Sequence, residues 1–465
     1  MKHFTLFLAA LALSTSVVYA QEPTTEQTAT EQTTVQPEGK VIQNQNIENY
    51  RRSSLYSVLV KHTDAKYGSD IEAAFLATPV PDKFNDHNLS VRTFESTAKN
   101  KKVSEKARGT EKDPNVSGTA SFIAANDVAR GMISKWFNRN PETGALDFEL
   151  IKERAYYDAS ALAIQEADAS AAGRKMLVDA GPDLIGKTFL VVNDITFVDK
   201  GEQSAKAAKG IAIFGAIAGA LLGSDEIANA AVAVAGAVNE IDGFRVNITS
   251  YLYRLKWDEE IANTLYSSYW VDAAAPDASK KANYESSDLF KLEFVGHTNT
   301  SAGITTSKSF DKRSHGEQMN IVCTRALDKS IVELQRAYDE FKVNTPIMSV
   351  NQETKQVEVK IGLKEGVNAK SRYEVLMVDE SKGYRTYKRV GMLKPVANKI
   401  WDNRFGALEE AAMIEQAKAA GEISKDAKDA DGEGGNVNLT STTFDIIEGA
   451  NKIFEGMLIR EVRIK

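Results

Sequence analysis

One cysteine in 465 residues, Cys323, leaves no partner for an internal disulfide, a Cys-based zinc site or an iron–sulfur cluster. Histidine is scarce as well. The five (His3, His62, His87, His297 and His315) stand far apart, with no HExxH and no metal-ligand spacing, so no metal and no cofactor is expected. There is no surplus of positive charge: 57 basic against 64 acidic side chains give a net charge of −7. That balance offers no electrostatic footprint for nucleic acid. No Gly-x-Ser-x-Gly elbow occurs, and adjacent carboxylates such as Asp258, Glu259 and Glu260 point apart, as a helix start would place them. These absences together point away from an enzyme. What remains is an ordinary soluble composition, 43% hydrophobic and 26% charged, long enough for more than one core.

The first 20 residues, MKHFTLFLAALALSTSVVYA, have a basic start, an apolar stretch and small residues before a cleavage position after Ala20. The apolar part is shorter than the roughly 20 residues a spanning helix needs. An exported protein is expected, periplasmic or associated with an outer membrane. No cysteine follows the cleavage position, so lipid anchoring is not expected. Residues 21–45 read as a Thr/Gln/Glu-rich disordered tether.

Residues 46–345 mix helix and strand patterns and predict an α+β or α/β main domain. SLYSVLV (54–60) fits strand or helix equally. DIEAAFLA is a short helix stopped by Pro79 and Pro81, and 97–118 reads as a charged loop. Helices are predicted over 121–138 and 148–179, and strands over 189–198, 244–257 and 287–296. In the second strand Phe244, Val246 and Ile248 alternate with Arg245, Asn247 and Thr249. Leu327, Ile331, Leu334, Tyr338 and Phe341 mark a helix over 318–342. After Pro346 the pattern changes to five short alternating strands separated by glycines, a small β-barrel-like domain over 346–465. An acidic helical insertion, 406–437, interrupts it. Its DAKDADGEGG lacks calcium-loop spacing and reads as a solvated loop.

The exceptional segment is 210–238. GIAIFGAIAGALLG, a polar break and IANAAVAVAGAV form a Gly-rich helical hairpin inserted between two strands. Gly215, Gly219 and Gly223 recur every four residues, so they share one helix face that admits a close neighbour. A 14-residue helix reaches about 21 Å, short of a roughly 30 Å hydrocarbon core. The hairpin is therefore buried in its own domain, dips into a membrane, or packs on another copy or another envelope protein. Those three glycines are the candidate helix-contact or membrane-docking residues.

Gly181–Thr188 spells GxxxxGKT, but a helix precedes it and a strand follows, the reverse of a phosphate loop. Trp136, Trp257, Trp270 and Trp401 could supply an aromatic platform for a glycan, although tryptophans at this density are more often core. His62 and His87 lie near Asp64 and Asp86 and read as surface pairs.

SSLYSVLVKH, PVPDKFNDH, ARGMISKWFNR, DAGPDLIGKTFLVVNDITFVDK and GFRVNITSYLYRLKW together resemble a group of uncharacterised secreted proteins of Bacteroidota over most of residues 50–345. GLKEGVNAKSRYEVL, RVGMLKP and FEGMLIREV resemble the small C-terminal β domain of flagellar-assembly T-type and related envelope proteins. The first resemblance implies export and carries no activity. The second implies a fold and no functional residues. The expected role is structural: a non-enzymatic cell-envelope protein that docks on a membrane or assembles with itself or other envelope proteins.

Overall fold

A computed structural model describes residues 50–95, 106–155, 184–198, 241–242, 245–303, 306–307, 314–379, 386–421 and 435–462. The protein is mixed α and β, with two main sheets, one of them a curled half-barrel.

The elements of the first part run β1 (Ser53–Lys61), α1 (Gly68–Ala77), β2 (Phe84–Asp86), β3 (Thr93–Glu95), α2 (Pro114–Ala125), α3 (Val128–Trp136), α4 (Glu149–Ala155) and β4 (Thr188–Phe197). Then come β5 (Ile241–Asp242), β6 (Arg245–Leu255), α5 (Glu259–Thr264), α6 (Ala278–Glu285), β7 (Leu292–Gly303), β8 (Thr306–Ser307) and α7 (His315–Ala337). The first sheet has the order β2-β1-β4-β6-β7, with β3 also along β1. β1 is parallel to β2, β3 and β4, while β4–β6 and β6–β7 are antiparallel.

Helices cover both faces. Leu59, Ile195, Val246 and Ile248 pack under α1 and α7, and Leu55, Phe189 and Leu252 continue that side. Tyr56, Val58, Val60, Leu190, Val192 and Tyr251 pack against α2, α3 and α5. A strand buried on two sides shows no alternation, which is why SLYSVLV fits two readings.

Several expectations shift. The 97–118 loop gives way at Pro114 to α2, whose N-cap Asp113 accepts from Asn115 N. The single helix over 121–138 is two, broken where Asp127 turns left-handed (φ 45°). The 287–296 strand lies instead at 292–303. α7 starts with a capping box, Ser314 with Glu317, and ends at Ala337. Tyr338 is extended, and its hydroxyl accepts from His297 N (2.9 Å) and donates to His297 O (3.0 Å). Lys329 Nζ donates to Ser301 O at 3.1 Å. Together they block the outer edge of β7, which would otherwise invite another strand.

The second sheet has seven strands rather than five, because β9 (Thr345–Pro346) and β10 (Ser349–Asn351) join β11 (Gln356–Val359), β12 (Tyr373–Asp379), β13 (Thr386–Pro395), β14 (Thr442–Glu448) and β15 (Leu458–Glu461). Its order is β10-β11-β14-β13-β12-β15-β9, and every pairing is antiparallel. Register shifts at Val375/Leu376 and Met392/Leu393 bend it. Val357, Val359, Val375, Leu393 and Phe444 fill the inside; Leu376, Val378 and Leu458 pack with Tyr50 on the other face. Helix α8 (Ala407–Ala420) stands between β13 and β14. No helix of the described residues is long and apolar enough to cross a membrane.

Candidate functional site

Gly215, Gly219 and Gly223, with the whole of 210–238, lie outside the described residues, as do residues 1–49. The roots of that stretch are described. β4 and β6 pair as far as Phe197 with Val246, and Val198 N donates to Arg245 O at 2.9 Å. On the other side β6 and β7 pair as far as Arg245 with Gly303, and β5 and β8 add Asp242 with Thr306 and Ile241 with Ser307. The chain therefore leaves the sheet at residue 198 and returns on the neighbouring strand.

A polar network sits just before that exit, where the parallel strands β1 and β4 present their carboxyl ends. This is the rim at which open α/β sheets commonly bind ligands. His62 follows β1 directly. Its Nε2–H donates to Asp194 Oδ1 at 2.5 Å, and Asn115 Nδ2 donates to Asp194 Oδ2 at 2.6 Å. Asp113 Oδ2 accepts from Tyr251 hydroxyl (2.8 Å) and Gly109 N (3.0 Å), and Oδ1 accepts from Asn115 N (2.9 Å). The Tyr251 ring stacks on His297, with centroids 6.1 Å apart. Asp113, Asn115 and Tyr251 are buried, whereas the His62 and Asp194 side chains keep 11% and 15% exposure. The Asp194 hydrogen bond raises the His62 pKa above its ordinary value against the opposing effect of burial. Burial pushes the Tyr251 hydroxyl strongly up, so it remains a donor.

Both oxygens of each aspartate are thus engaged within the network. A satisfied buried network chiefly fixes geometry. Here it fastens β1, β4, β6 and the start of α2 together, and stacking brings in β7. Among the described residues no group of three or more His, Cys, Asp or Glu could hold a metal ion.

The expected surface pairs of His62 and His87 are overturned. His62 pairs with Asp194, 132 residues away. His87 is fully buried at the opposite end of the sheet. Its Nε2–H donates to Met132 O (2.9 Å), so Nδ1 is free of hydrogen and accepts from Arg154 Nη1 at 2.9 Å. Arg154 also donates to Ser54 Oγ (2.8 Å) and Asp86 O (2.7 Å), and its guanidinium lies 4.5 Å over the Trp136 ring. Burial and the Arg154 charge hold His87 well below its ordinary pKa.

The remaining candidates fall as follows. Lys187 ends a 3-10 turn, Ile185–Lys187, that runs straight into β4, and its ammonium lies 5.8 Å over Tyr387 of β13. Trp136 is fully buried and donates to Thr188 Oγ1 at 2.8 Å. Trp257 is buried too, and Trp270 stacks on Phe148 with centroids 4.6 Å apart. Those three belong to the packing around Phe137 and Phe148, and Trp401 is half-buried in the half-barrel part of the chain. Cys323 is buried under α1, and desolvation pushes its thiol up to about 12, far from a reactive thiolate. Asp258 caps α5 by accepting from Ile261 N at 2.9 Å.

Searches against protein-family models and against curated proteins give no match.

Proposed function

We propose that the protein is an exported, non-enzymatic component of the cell envelope that docks or assembles through residues 210–238. The observation that carries this reading is the rooting of that stretch. It departs from β4 and returns through β5 to β6, adjacent strands whose ladder is maintained to Phe197 and Val246. Two uncharged apolar arms, 210–223 and 227–238, joined through Ser224-Asp225-Glu226 and with a glycine stripe on the first, make a contact element at such a position. We read it as an inserted helical hairpin, with Gly215, Gly219 and Gly223 as the close-approach face. The apolar start at residues 1–20 and the resemblance to secreted Bacteroidota proteins support export.

The test is flotation of the mature protein with vesicles of phosphatidylethanolamine and phosphatidylglycerol, together with sizing by light scattering. A variant with 210–238 replaced by a short Gly/Ser linker and a Gly219→Leu variant run alongside. Flotation or self-association should be lost in the linker variant and weakened by Gly219→Leu, with unchanged circular dichroism elsewhere. Identical partition and identical mass for all three proteins would sink the proposal.

A further inference from the structure

Helix α7 turns one stripe toward the half-barrel: Arg325, Asp328, Val332 and Arg336 succeed one another at helical spacing. The two arginines are clamps. Arg325 Nη2 donates to Glu410 Oε2 (2.7 Å), Nη1 to Oε1 (3.4 Å) and Nε to Phe405 O (3.0 Å). Arg336 Nη2 donates to Glu461 Oε1 (2.9 Å) and Gly366 O (2.8 Å), and Nε to Glu461 Oε2 (3.1 Å). Val332 packs against Gly366, where an added Cβ would lie 2.6 Å from Val332 Cγ1.

Asp328, between the clamps, differs. It lines a cavity of about 60 Å³ at the junction of α7, the Pro81–Phe84 loop and strands β12 and β15. That volume holds about two waters. Among the described residues no hydrogen bond or ion pair takes its carboxyl group. The charged neighbours are engaged elsewhere. Lys364 Nζ donates to Asp82 Oδ2 at 3.0 Å. Glu365 accepts from Gly362 N (2.7 Å) and Asn403 Nδ2 (2.8 Å). Glu461 belongs to Arg336, and Arg460 donates to Glu374 at 2.7 Å. Lys83 also lines the cavity, where burial disfavours its charge, and so does Tyr373, whose hydroxyl burial keeps protonated.

We propose that this junction is a proton-sensitive latch, in which Asp328 is the neutral acid while α7 and the half-barrel are docked and loss of its proton loosens the contact between the two arginine clamps. Desolvation pushes the Asp328 carboxyl up to about 7; Lys364 and Arg325 pull it back, and Glu365 and Asp82 push it further up. The docked state therefore holds a proton that the undocked state, near the ordinary 3.8, has lost. Docking is strongest in acid, weakens as pH climbs from the ordinary value toward about 7, and levels off beyond it.

The test is hydrogen exchange of the intact protein, followed by mass spectrometry on peptides covering 325–336 and 362–366. Rates between pH 5 and pH 7.5 are corrected for intrinsic exchange. The opened fraction in the wild type should rise by at least about tenfold, the worth of one pKa unit. In Asp328→Asn it should change less than about twofold, because the amide never ionises. Lys364→Met withdraws the cation that most lowers the Asp328 pKa and should move the rise to higher pH, which keeps the test open should Asp328→Asn not fold. A flat wild-type profile, an equal rise in Asp328→Asn, or a rise that Lys364→Met leaves in place would each overturn the latch.

Discussion

Replacing Asp194 by Asn keeps the size of the side chain at the ends of β1 and β4, removes its charge and turns one of its two acceptors into a donor. In the wild type, the 2.5 Å hydrogen bond to Asp194 raises the His62 pKa above 6.5. A hydrogen bond to a charged group is worth about 1.5–3 kcal/mol, and breaking a fully buried ion pair costs about 3–5 kcal/mol. With 11% and 15% of the two side chains exposed, water screens the pair and the lower range applies. The sign follows from linkage. The folded state raises the pKa of a base, so the stabilisation is fully present below pH 6.5 and is lost as pH rises through the folded value. Wild type and Asp194→Asn should differ by about 1.5–3 kcal/mol at pH 5.5–6 and converge toward pH 9. His87 runs the other way. Held neutral in the fold, it costs stability as pH falls below 6.5. Total stability against pH therefore mixes two opposing histidines, and the difference between the two proteins is the quantity to measure. Urea titrations at three pH values give that difference, and the NMR titration of the His62 ring protons reports the pKa directly. A His62 that titrates at or below 6.5 in the wild type, or a difference that does not shrink with pH, would refute the reasoning.

Tyr338→Phe strips the hydroxyl that serves His297 N and O, leaving two partly buried backbone groups unpaired; a loss of about 1–3 kcal/mol and faster aggregation through the bared β7 edge are expected in urea unfolding and light scattering. Gly366→Ala meets both a left-handed backbone (φ 74°) and Val332 Cγ1 at 2.6 Å, and should cost at least about 1–2 kcal/mol in thermal melts while lowering protection at the α7 junction. Arg154→Met leaves His87 Nδ1, Ser54 Oγ and Asp86 O without their donor and removes the cation over Trp136; at about 1–3 kcal/mol for each orphaned acceptor, a loss of at least about 3 kcal/mol is expected by denaturant titration. In that variant the His87 pKa should move up as the neighbouring charge disappears, readable by NMR.

Local pattern located what one face of an element decides. The alternation around Val246 and Ile248 gave β6, because only one side of its first half is buried, with Arg245 and Asn247 exposed. The stepping from Leu327 to Leu334 gave α7, and the Ser314–Glu317 box marks its start. Tyr338 and Phe341 keep the helical step, yet the helix stops at Ala337, because the tyrosine reaches the β7 edge only from an extended backbone. α2 was hidden by its small polar residues, although Asp113 before Pro114 is a cap-and-first-turn signal. β7 shifted because the polar run GHTNTSAG (296–303) resembles loop, and here it is a strand whose half-exposed edge is sealed by side chains from α7 and Tyr338. The network at the sheet rim had no spacing to betray it. His62, Asp113, Asn115, Asp194 and Tyr251 come together only once β1, β4 and β6 are laid side by side.

The position of that network bears on the proposed role. Asp194 lies three residues before Phe197, where the ladder to β6 ends and the glycine-rich stretch departs. A contact element can transmit binding to the rest of the protein only if its roots do not yield. β4 is held on one side by β6 and on the other by β1, and Asp194 adds ties to His62 and Asn115 across the face. Weakening those ties should loosen the root and leave the contact face itself unchanged. Asp194→Asn should therefore retain vesicle or self-association while raising hydrogen exchange in β4 and β6 near the exit. Gly219→Leu should do the reverse. Two substitutions with opposite signatures separate an anchoring function at the rim from a docking function in the inserted stretch.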